Sequence, residues 1–226
     1  MNKLEKILFS ISEKPIHILD RSISIDKYTS LDLSKSNSDL LNIKITNPVV
    51  CQAYITETLQ AANAEVAFGG YLEKRNLYAD KGNFSGEKTA LRNIHLGIDY
   101  WAKEGTIVIT PLRGKVHSFK NNTTSGDYGP TIILKHQISD IYFYTLYGHL
   151  SVESLSDLYI GKEFEEGSVL GYLGATAINV NYAPHLHFQI INDMQGCLGD
   201  YPGVCALSNL DYYTLNCPNP NLLLKL

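Results

Sequence analysis

Histidine and aspartate side chains in two short motifs are the residues of this chain best suited to chemistry. His95 and Asp99 belong to the stretch His-Leu-Gly-Ile-Asp, and His185 and His187 belong to His-Leu-His. Neutral imidazole and carboxylate groups are common zinc ligands, and a catalytic zinc site combines three protein ligands with one open position. The two motifs therefore predict a metal centre, provided that the fold brings them together.

The spacing within each motif is typical of a half-buried β-strand. Residues 185–191 alternate polar and apolar side chains, which places the two histidines and Gln189 on one face of a strand. Residues 95–100 alternate in the same way, so His95 and Asp99 share a face with Gly97 between them. A glycine at this position leaves room for a metal ion or a substrate backbone to approach.

A fourth histidine lies at the end of another predicted strand. Residues 142–150 are aromatic and apolar, and the predicted strand ends beside Gly148 at His149. A polar residue at the mouth of a buried strand is well placed for chemistry, although a lone histidine there more often makes structural hydrogen bonds. Structural roles are predicted for the three remaining histidines, His17, His117 and His136.

Taken in order, these motifs resemble the lysostaphin/LytM-type zinc metalloendopeptidases, which cleave peptide bonds in bacterial peptidoglycan. That family carries His-x-x-x-Asp, then an isolated histidine, then His-x-His. The resemblance implies that His95, Asp99 and His187 bind one zinc ion per chain, and that His149 and His185 flank the metal-bound water. Spacing alone leaves open which of His185 and His187 is the ligand, and it does not assign separate roles to His149 and His185.

The resemblance covers residues 91–192 and departs from the family in one loop. Residues 175–183 lack the usual Gly-Pro before His-x-His and end in Ala183-Pro184, which bears on substrate preference more than on metal binding. Residues 70–75 and 217–222 are similar to versions of this domain found in larger proteins with aminotransferase-like and kinase-like modules.

The predicted fold is α+β and rich in β-structure. A mostly antiparallel sheet of the LytM-like, duplicated-hybrid-motif type carries the metal site on one face. Residues 1–86 form a mixed segment that covers the groove as a prosegment or a substrate-selecting wall, and residues 87–226 form the peptidase-like domain with a wrapping tail from 196. Apolar residues at helical spacing predict a short helix around residues 4–11, and a run of good helix formers before Gly69-Gly70 predicts a second helix over 56–67.

Composition limits the partners and the compartment. The net charge is −4 and the pI about 6.0, without a Lys/Arg cluster, so a nucleic-acid partner is not expected. No apolar stretch reaches the ~18 residues of a membrane span, and the N-terminus lacks a signal-peptide pattern. A cytoplasmic location is the default expectation, with export by another route left open. The four cysteines form no Cys-x-x-Cys pattern and are expected to be free, with Cys197 and Cys205 pairing only in an exported protein.

Zinc-dependent cleavage of peptide bonds, with a peptide or peptidoglycan-derived substrate, is the function that these observations favour. No Glu stands in a His-Glu-x-x-His arrangement, so the general base is expected to be His149 or His185. The alternatives are an intracellular metallohydrolase acting on another peptide or small amide, a non-catalytic binding or regulatory module, and, more weakly, a phosphocarrier with paired histidines. The sequence assigns no residue to substrate binding.

Overall fold

The computed structural model describes residues 1–76, 91–124, 126–179 and 182–226. The predicted domain boundary between residues 86 and 87 lies outside the described residues. The boundary therefore remains a prediction.

The described part of the chain is rich in β-structure, as predicted. Its strands are β1 (Tyr28–Ser30), β2 (Val66–Gly69), β3 (Arg92–His95), β4 (Ile98–Trp101), β5 (Ile107–Ile109), β6 (Gly114–Asn122), β7 (Gly129–Ile138), β8 (Ile141–Gly148), β9 (Glu163–Phe164), β10 (Val169–Tyr172), β11 (His185–Ile191) and β12 (Val204–Ala206). The main sheet has the order β1-β2-β4-β11-β8-β7-β6-β9, while β5 pairs with β10 and β3 pairs with β12. Every pair is antiparallel except β1 with β2, so the predicted fold class is confirmed.

The register at the centre of the main sheet aligns the functional motifs. Strand β11 lies between β4 and β8, and His187 is opposite Asp99 on one side and Gly148 on the other. The alternation predicted for residues 185–191 is present, because Leu186, Phe188 and Ile190 belong to the largest hydrophobic core cluster. The two histidines of β11 therefore face the opposite side of the sheet.

Four α-helices are present in the described residues. They are α1 (Lys3–Ser10), α2 (Pro48–Ala61), α3 (Leu210–Asn216) and α4 (Asn221–Leu224). Short 3-10 helices lie at Ile25–Lys27, Ser38–Leu40, Val152–Leu155 and Leu207–Asn209. Helix α1 confirms the predicted N-terminal helix and begins with a capping box between Asn2 and Glu5.

The helix predicted over 56–67 is wrong in its bounds. Helix α2 begins eight residues earlier, where Asn47 accepts from the backbone of Val49 and Val50 and Pro48 occupies the first turn. The last residues of the predicted helix form β2 instead, because Ala67 and Phe68 pair with Trp101 and Tyr100 of β4. Pairing across the sheet overrides the local helix propensity of this stretch.

The N-terminal segment therefore contributes two strands, β1 and β2, to the main sheet. Strand β2 extends the sheet beyond β4, and α2 packs with Trp101 in a second core cluster that includes Cys51 and Ile55. This packing places the N-terminal segment directly behind the strand that carries Asp99.

The C-terminal tail is more regular than the predicted wrapping segment. Strand β12 pairs with β3, so that Val204 lies opposite His95, and helices α3 and α4 follow. The four cysteines are unpaired thiols, and three of them are buried. No helix in the part of the chain that the structure describes is long and apolar enough to span a membrane.

Candidate metal centre

His95 and Asp99 reach the centre from two different strands. The continuous strand predicted over residues 95–100 is interrupted at Leu96 and Gly97, so His95 ends β3 and Asp99 lies within β4. Gly97 faces the His187 ring, and a Cβ there would lie 2.7 Å from His187 Cε1 and 2.6 Å from the Phe188 carbonyl oxygen. The glycine therefore lets β11 approach closely, which brings His187 to the other two side chains.

The three predicted ligands converge on one point. The distance from His95 Nε2 to His187 Nδ1 is 2.9 Å, and Asp99 Oδ1 lies 3.0 Å from His187 Nδ1 and 3.3 Å from His95 Nε2. A tetrahedral zinc with bonds of about 2.0–2.1 Å holds neighbouring ligand atoms about 3.3 Å apart. The three side chains are at most 3% exposed and form a group suited to holding a metal ion.

Partners behind the two rings fix which nitrogens carry protons. His95 Nδ1 lies 2.9 Å from the Gly70 carbonyl oxygen, which can only accept, so Nδ1 carries the proton and Nε2 has a lone pair. His187 Nε2 lies 3.0 Å from Gln189 Oε1. The amide group of Gln189 donates to Pro202 O and Cys217 Sγ, which orients its oxygen towards the ring and leaves His187 Nδ1 with a lone pair.

Lone pairs on His95 Nε2, His187 Nδ1 and Asp99 Oδ1 therefore face one another in a buried space. Two imidazole nitrogens and one carboxylate oxygen are all acceptors in this arrangement, and unpaired buried acceptors are costly. A cation at the point of convergence satisfies all three at once. The donor set fits a divalent metal, and its mixture of nitrogen and oxygen ligands is suited to zinc.

The other oxygen of Asp99 has a partner of its own. Asp99 Oδ2 accepts a hydrogen bond from Arg75 Nη1, and Arg75 Nε donates to Glu73 Oε2. The Arg75 guanidinium also lies 5.6 Å from the centre of the Trp101 ring. Arg75 and Asp99 are buried and Glu73 is partly buried, so Asp99 is held from behind while Oδ1 faces the two histidines.

The predicted catalytic histidines lie beside the three ligands. The ring centres of His149 and His185 are 4.0 Å apart, and Trp101 stacks on His185 at 5.8 Å. His149 follows β8 with a φ of +62°, a left-handed conformation that is uncommon outside glycine. Backbone bonds from His149 N to Tyr128 O and from Gly174 N to His149 O hold this conformation.

Burial shapes the protonation of these groups. It lowers the pKa of His95 to about 4, with Arg75 acting in the same direction and Asp99 opposing it. It also lowers the pKa of His149, further reduced by His185, and that of His185. Burial alone raises the pKa of Asp99, but His95 and Arg75 hold this pKa well below its usual range. Asp99 is therefore a carboxylate at neutral pH, and His95, His149 and His185 are neutral imidazoles.

A cavity of about 250 Å³ opens onto the cluster. Its walls include the aromatic side chains of Trp101, Tyr128, Tyr182 and Tyr201, and the charged residues Arg92, Asp127 and Asp200. The five predicted site residues all line it. The convergence point and the two histidines therefore border the same cavity.

The structure separates the other histidines from this site. His117 contacts Ser118 Oγ and the Tyr144 ring, and His136 bonds to Arg113 O and Thr145 Oγ1. Three functional residues were missed by the sequence reasoning: Gly70, Arg75 and Gln189. Gln189 could have been found, because it shares the face of the strand with both histidines, whereas no spacing signal connects residues 70–75 to residue 99.

Comparisons with known proteins bear on the same region. Residues 93–197 match the model of Peptidase family M23, and no curated protein sequence matches the chain. The likeness of residues 70–75 and 217–222 to multi-module proteins is not addressed by these comparisons and remains a prediction.

Solved structures with similar folds include three peptidases or peptidase-family proteins. The catalytic domain of the antimicrobial peptidase lysostaphin from Staphylococcus simulans is 19% identical, with a TM-score of 0.39, over 65% of this chain and 88% of that one. A catalytic-domain mutant of the prophage-encoded M23 protein EnpA from Enterococcus faecalis is 18% identical, with a TM-score of 0.39, over 61% and 85%. A zinc-containing peptidase from Vibrio cholerae is 24% identical, with a TM-score of 0.35, over 43% of this chain and only 27% of that one.

The family match coincides with the region that supplies the three predicted ligands and the two flanking histidines. Over residues 93–197 the chain therefore matches Peptidase family M23.

Proposed function

We propose that the protein is a zinc-dependent endopeptidase in which His95, Asp99 and His187 bind one zinc ion. The observation that carries this proposal is the convergence of three buried lone pairs beside a pair of histidines. Neither a binding module nor a phosphocarrier requires three acceptors to face one another in this way. A hydrolase that uses a metal ion does.

The metal and the protein divide the chemistry between them. When bound, zinc supplies Lewis-acid polarisation of the scissile carbonyl and makes a water molecule more acidic. The chain itself must hold the metal, accept a proton from the attacking water and stabilise the charge that develops on the carbonyl oxygen. His149 and His185 are the groups available for the last two tasks.

His185 is suited to the role of general base. Its Nδ1 lies 2.7 Å from the Ala183 carbonyl oxygen and so carries the proton, which leaves Nε2 as an acceptor. The lowered pKa of His185 keeps this ring neutral at neutral pH. Nε2 can then take the proton of the attacking water and pass it to the leaving amine.

His149 is suited to stabilising the developing oxyanion. Its Nδ1 is buried and has no hydrogen-bond partner among the described residues. A substrate oxygen would supply the missing partner, and a preorganised donor in a buried site stabilises developing charge strongly. The left-handed backbone at His149 is consistent with strain retained at a working position.

We further propose peptides of bacterial peptidoglycan as the substrate class, which is the class that the family resemblance implies. The aromatic walls of the cavity can hold an extended peptide, and Arg92, Asp127 and Asp200 offer charges of both signs. Stem and cross-bridge peptides carry free carboxylate and ammonium groups that such a surface can recognise. The departure at residues 175–183 bears on which of these peptides is preferred.

The test is hydrolysis of a panel of peptidoglycan fragments and synthetic oligopeptides by zinc-loaded protein, with products identified by mass spectrometry. His95→Ala and His185→Ala serve as matched controls, one without metal and one with metal but without the base. We expect cleavage by the wild type alone. Wild-type rates no higher than those of both variants across the whole panel would contradict the proposal.

A further inference from the structure

Two of the three proposed ligands are held from behind by a short segment that precedes the family-matching region. Gly70 O accepts from His95 Nδ1, and Arg75 pairs with Asp99 Oδ2. Residues 93–197 contain neither Gly70 nor Arg75. The part of the chain that defines the family thus holds the ligands, while a different part holds two of them in place.

Backbone hydrogen bonds attach this segment firmly to β3. Leu72 N donates to His95 O at 2.9 Å, His95 N donates to Glu73 O at 3.0 Å, and Arg75 N donates to Asn93 O at 2.9 Å. The segment therefore behaves as an added strand-like partner of β3. Its position relative to His95 is fixed by the backbone, independently of the side chains.

Gly70 is required at its position for two separate reasons. Its φ of +108° lies in a region that side chains rarely adopt. A Cβ at this residue would lie 2.0 Å from Arg75 Nη2 and 3.0 Å from His95 Nδ1. The absence of a side chain lets the guanidinium and the imidazole pack against the same backbone position.

Arg75 is only 1% exposed, which makes its charge costly unless it is paired. It bridges the Glu73 and Asp99 carboxylates, and Glu73 Oε1 in turn accepts from Leu33 N at 3.0 Å. A planar guanidinium can hold two carboxylates in a fixed geometry, which a lysine ammonium cannot do. The bridge therefore fixes the rotation of the Asp99 carboxylate.

We propose that residues 70–75 are a permanent part of the metal centre, and that Arg75 is a positioning residue that turns Asp99 Oδ1 towards the metal. This inference rests on the proposed function in that it takes the ligands to be His95, Asp99 and His187. It assigns residues 70–75 a role opposite to that of a removable prosegment. Groups that orient a metal ligand typically change metal affinity by about 10–100-fold when they are removed.

The decisive variant is Glu73→Gln combined with Arg75→Met. It removes one negative and one positive charge together, so the net charge around Asp99 does not change, and the amide oxygen can still accept from Leu33 N. Zinc affinity is measured by competition with a chromophoric chelator, without any substrate. We expect the zinc dissociation constant to rise by about 10–100-fold. A folded double variant that binds zinc as tightly as the wild type would overturn the inference.

A glycine pair gives an independent test with a matched control. Gly70→Ala introduces both the backbone strain and the clash with Arg75, whereas Gly105→Ala introduces strain at a φ of +79° with nothing within 4 Å of the new Cβ. We expect weaker zinc binding in the first variant and unchanged binding in the second. Equal zinc affinity in the two variants would contradict the positioning role.

Arg75→Lys keeps the proposal testable if the double variant does not fold, because it retains the positive charge between the carboxylates. We expect the zinc affinity of Arg75→Lys to lie between that of the wild type and that of His95→Ala. Wild-type affinity in Arg75→Lys would contradict a role for the planar guanidinium. Circular dichroism of the metal-free proteins checks the fold. A wild-type protein that binds no zinc would overturn both this inference and the proposed function, whereas unchanged binding in the variants would overturn this inference alone.

Discussion

Two buried clusters of this protein contain histidine and differ in what the histidine nitrogens face. One is the candidate metal centre, with His95 at the end of β3, Asp99 on β4 and His187 on β11, and the other surrounds His136 on β7. Both are almost entirely buried, and burial lowers the pKa of His95 and of His136 to about 4. By burial and pKa alone the two clusters cannot be told apart.

Their hydrogen-bond partners differ completely. His136 Nδ1 donates to Arg113 O at 2.8 Å, and Nε2 lies 2.7 Å from Thr145 Oγ1, whose single proton can serve either this nitrogen or the Tyr147 hydroxyl. Each nitrogen thus meets a complementary partner. In the metal centre the facing nitrogens and the Asp99 oxygen are all acceptors, so complementarity requires a cation. The pattern of partners, more than burial, distinguishes a metal site from a satisfied core histidine.

The largest expected effect comes from removing the metal. Dialysis of the purified protein against a strong chelator should reduce hydrolysis to the level of buffer alone, because the proposed reaction depends on Lewis-acid chemistry. Adding back zinc should restore the activity, with metal content and peptide cleavage measured on the same samples. Full activity in protein shown to be free of metal would contradict the claim that the first cluster needs a cation and the His136 cluster does not.

A smaller but still large effect is expected from His185→Ala. Loss of a general base should reduce the rate of peptide cleavage by about 10²–10⁴-fold. The zinc content should stay at the wild-type value, since His185 is not one of the three convergent ligands. His117→Ala is the control, because His117 lies outside the site and should leave the rate unchanged. A variant with full zinc and a wild-type rate would remove His185 from the mechanism.

Acid should destabilise the metal-free protein through both clusters. His95 and His136 have folded pKa values of about 4, below the ordinary 6.5, so the unfolded chain takes up protons first as the pH falls. The contribution of the two neutral histidines to the free energy of unfolding is fully present above pH 6.5. It decreases between pH 6.5 and about pH 4, by roughly 3 kcal/mol for each histidine. Urea denaturation of metal-free protein as a function of pH measures this change. A free energy of unfolding that stays flat through that window would contradict the burial of neutral rings.

The smallest expected effect is a change in stability without a change in metal binding. His136→Phe keeps an aromatic ring of similar shape but leaves Arg113 O and Thr145 Oγ1 without their partner. We expect a loss of about 1–3 kcal/mol at neutral pH. Chelator competition should give the wild-type zinc affinity for this variant. A large drop in zinc affinity would show that the two clusters are coupled.

Much of the site was predictable from sequence because its strands follow local rules. The alternation of residues 185–191 predicts β11 with the correct face, and the aromatic run before His149 predicts β8 and its end. The convergence of His95, Asp99 and His187 follows from motifs whose spacing is specific. The assignment of His187 as a metal ligand and of His185 as a catalytic residue came from the family resemblance and not from the spacing.

The remaining features depend on contacts between residues that are distant in sequence. The interruption between β3 and β4 arises because β3 pairs with β12 of the C-terminal tail while β4 joins the main sheet. The bond between Arg75 and Asp99 joins residues 24 positions apart, and no local pattern at residue 75 distinguishes it from a surface arginine. Burial and pairing partners decide these features, and neither can be read from a short window of sequence.

The zinc content of purified protein tests the central claim most directly. Elemental analysis would compare the wild type with His95→Ala, His187→Ala and the control His136→Phe, each after incubation with zinc and removal of the excess. We predict one equivalent of zinc in the wild type and in the control, and none in the two ligand variants. A wild-type protein that takes up no zinc, or ligand variants that retain it, would contradict the assignment of the convergent acceptors as a metal centre.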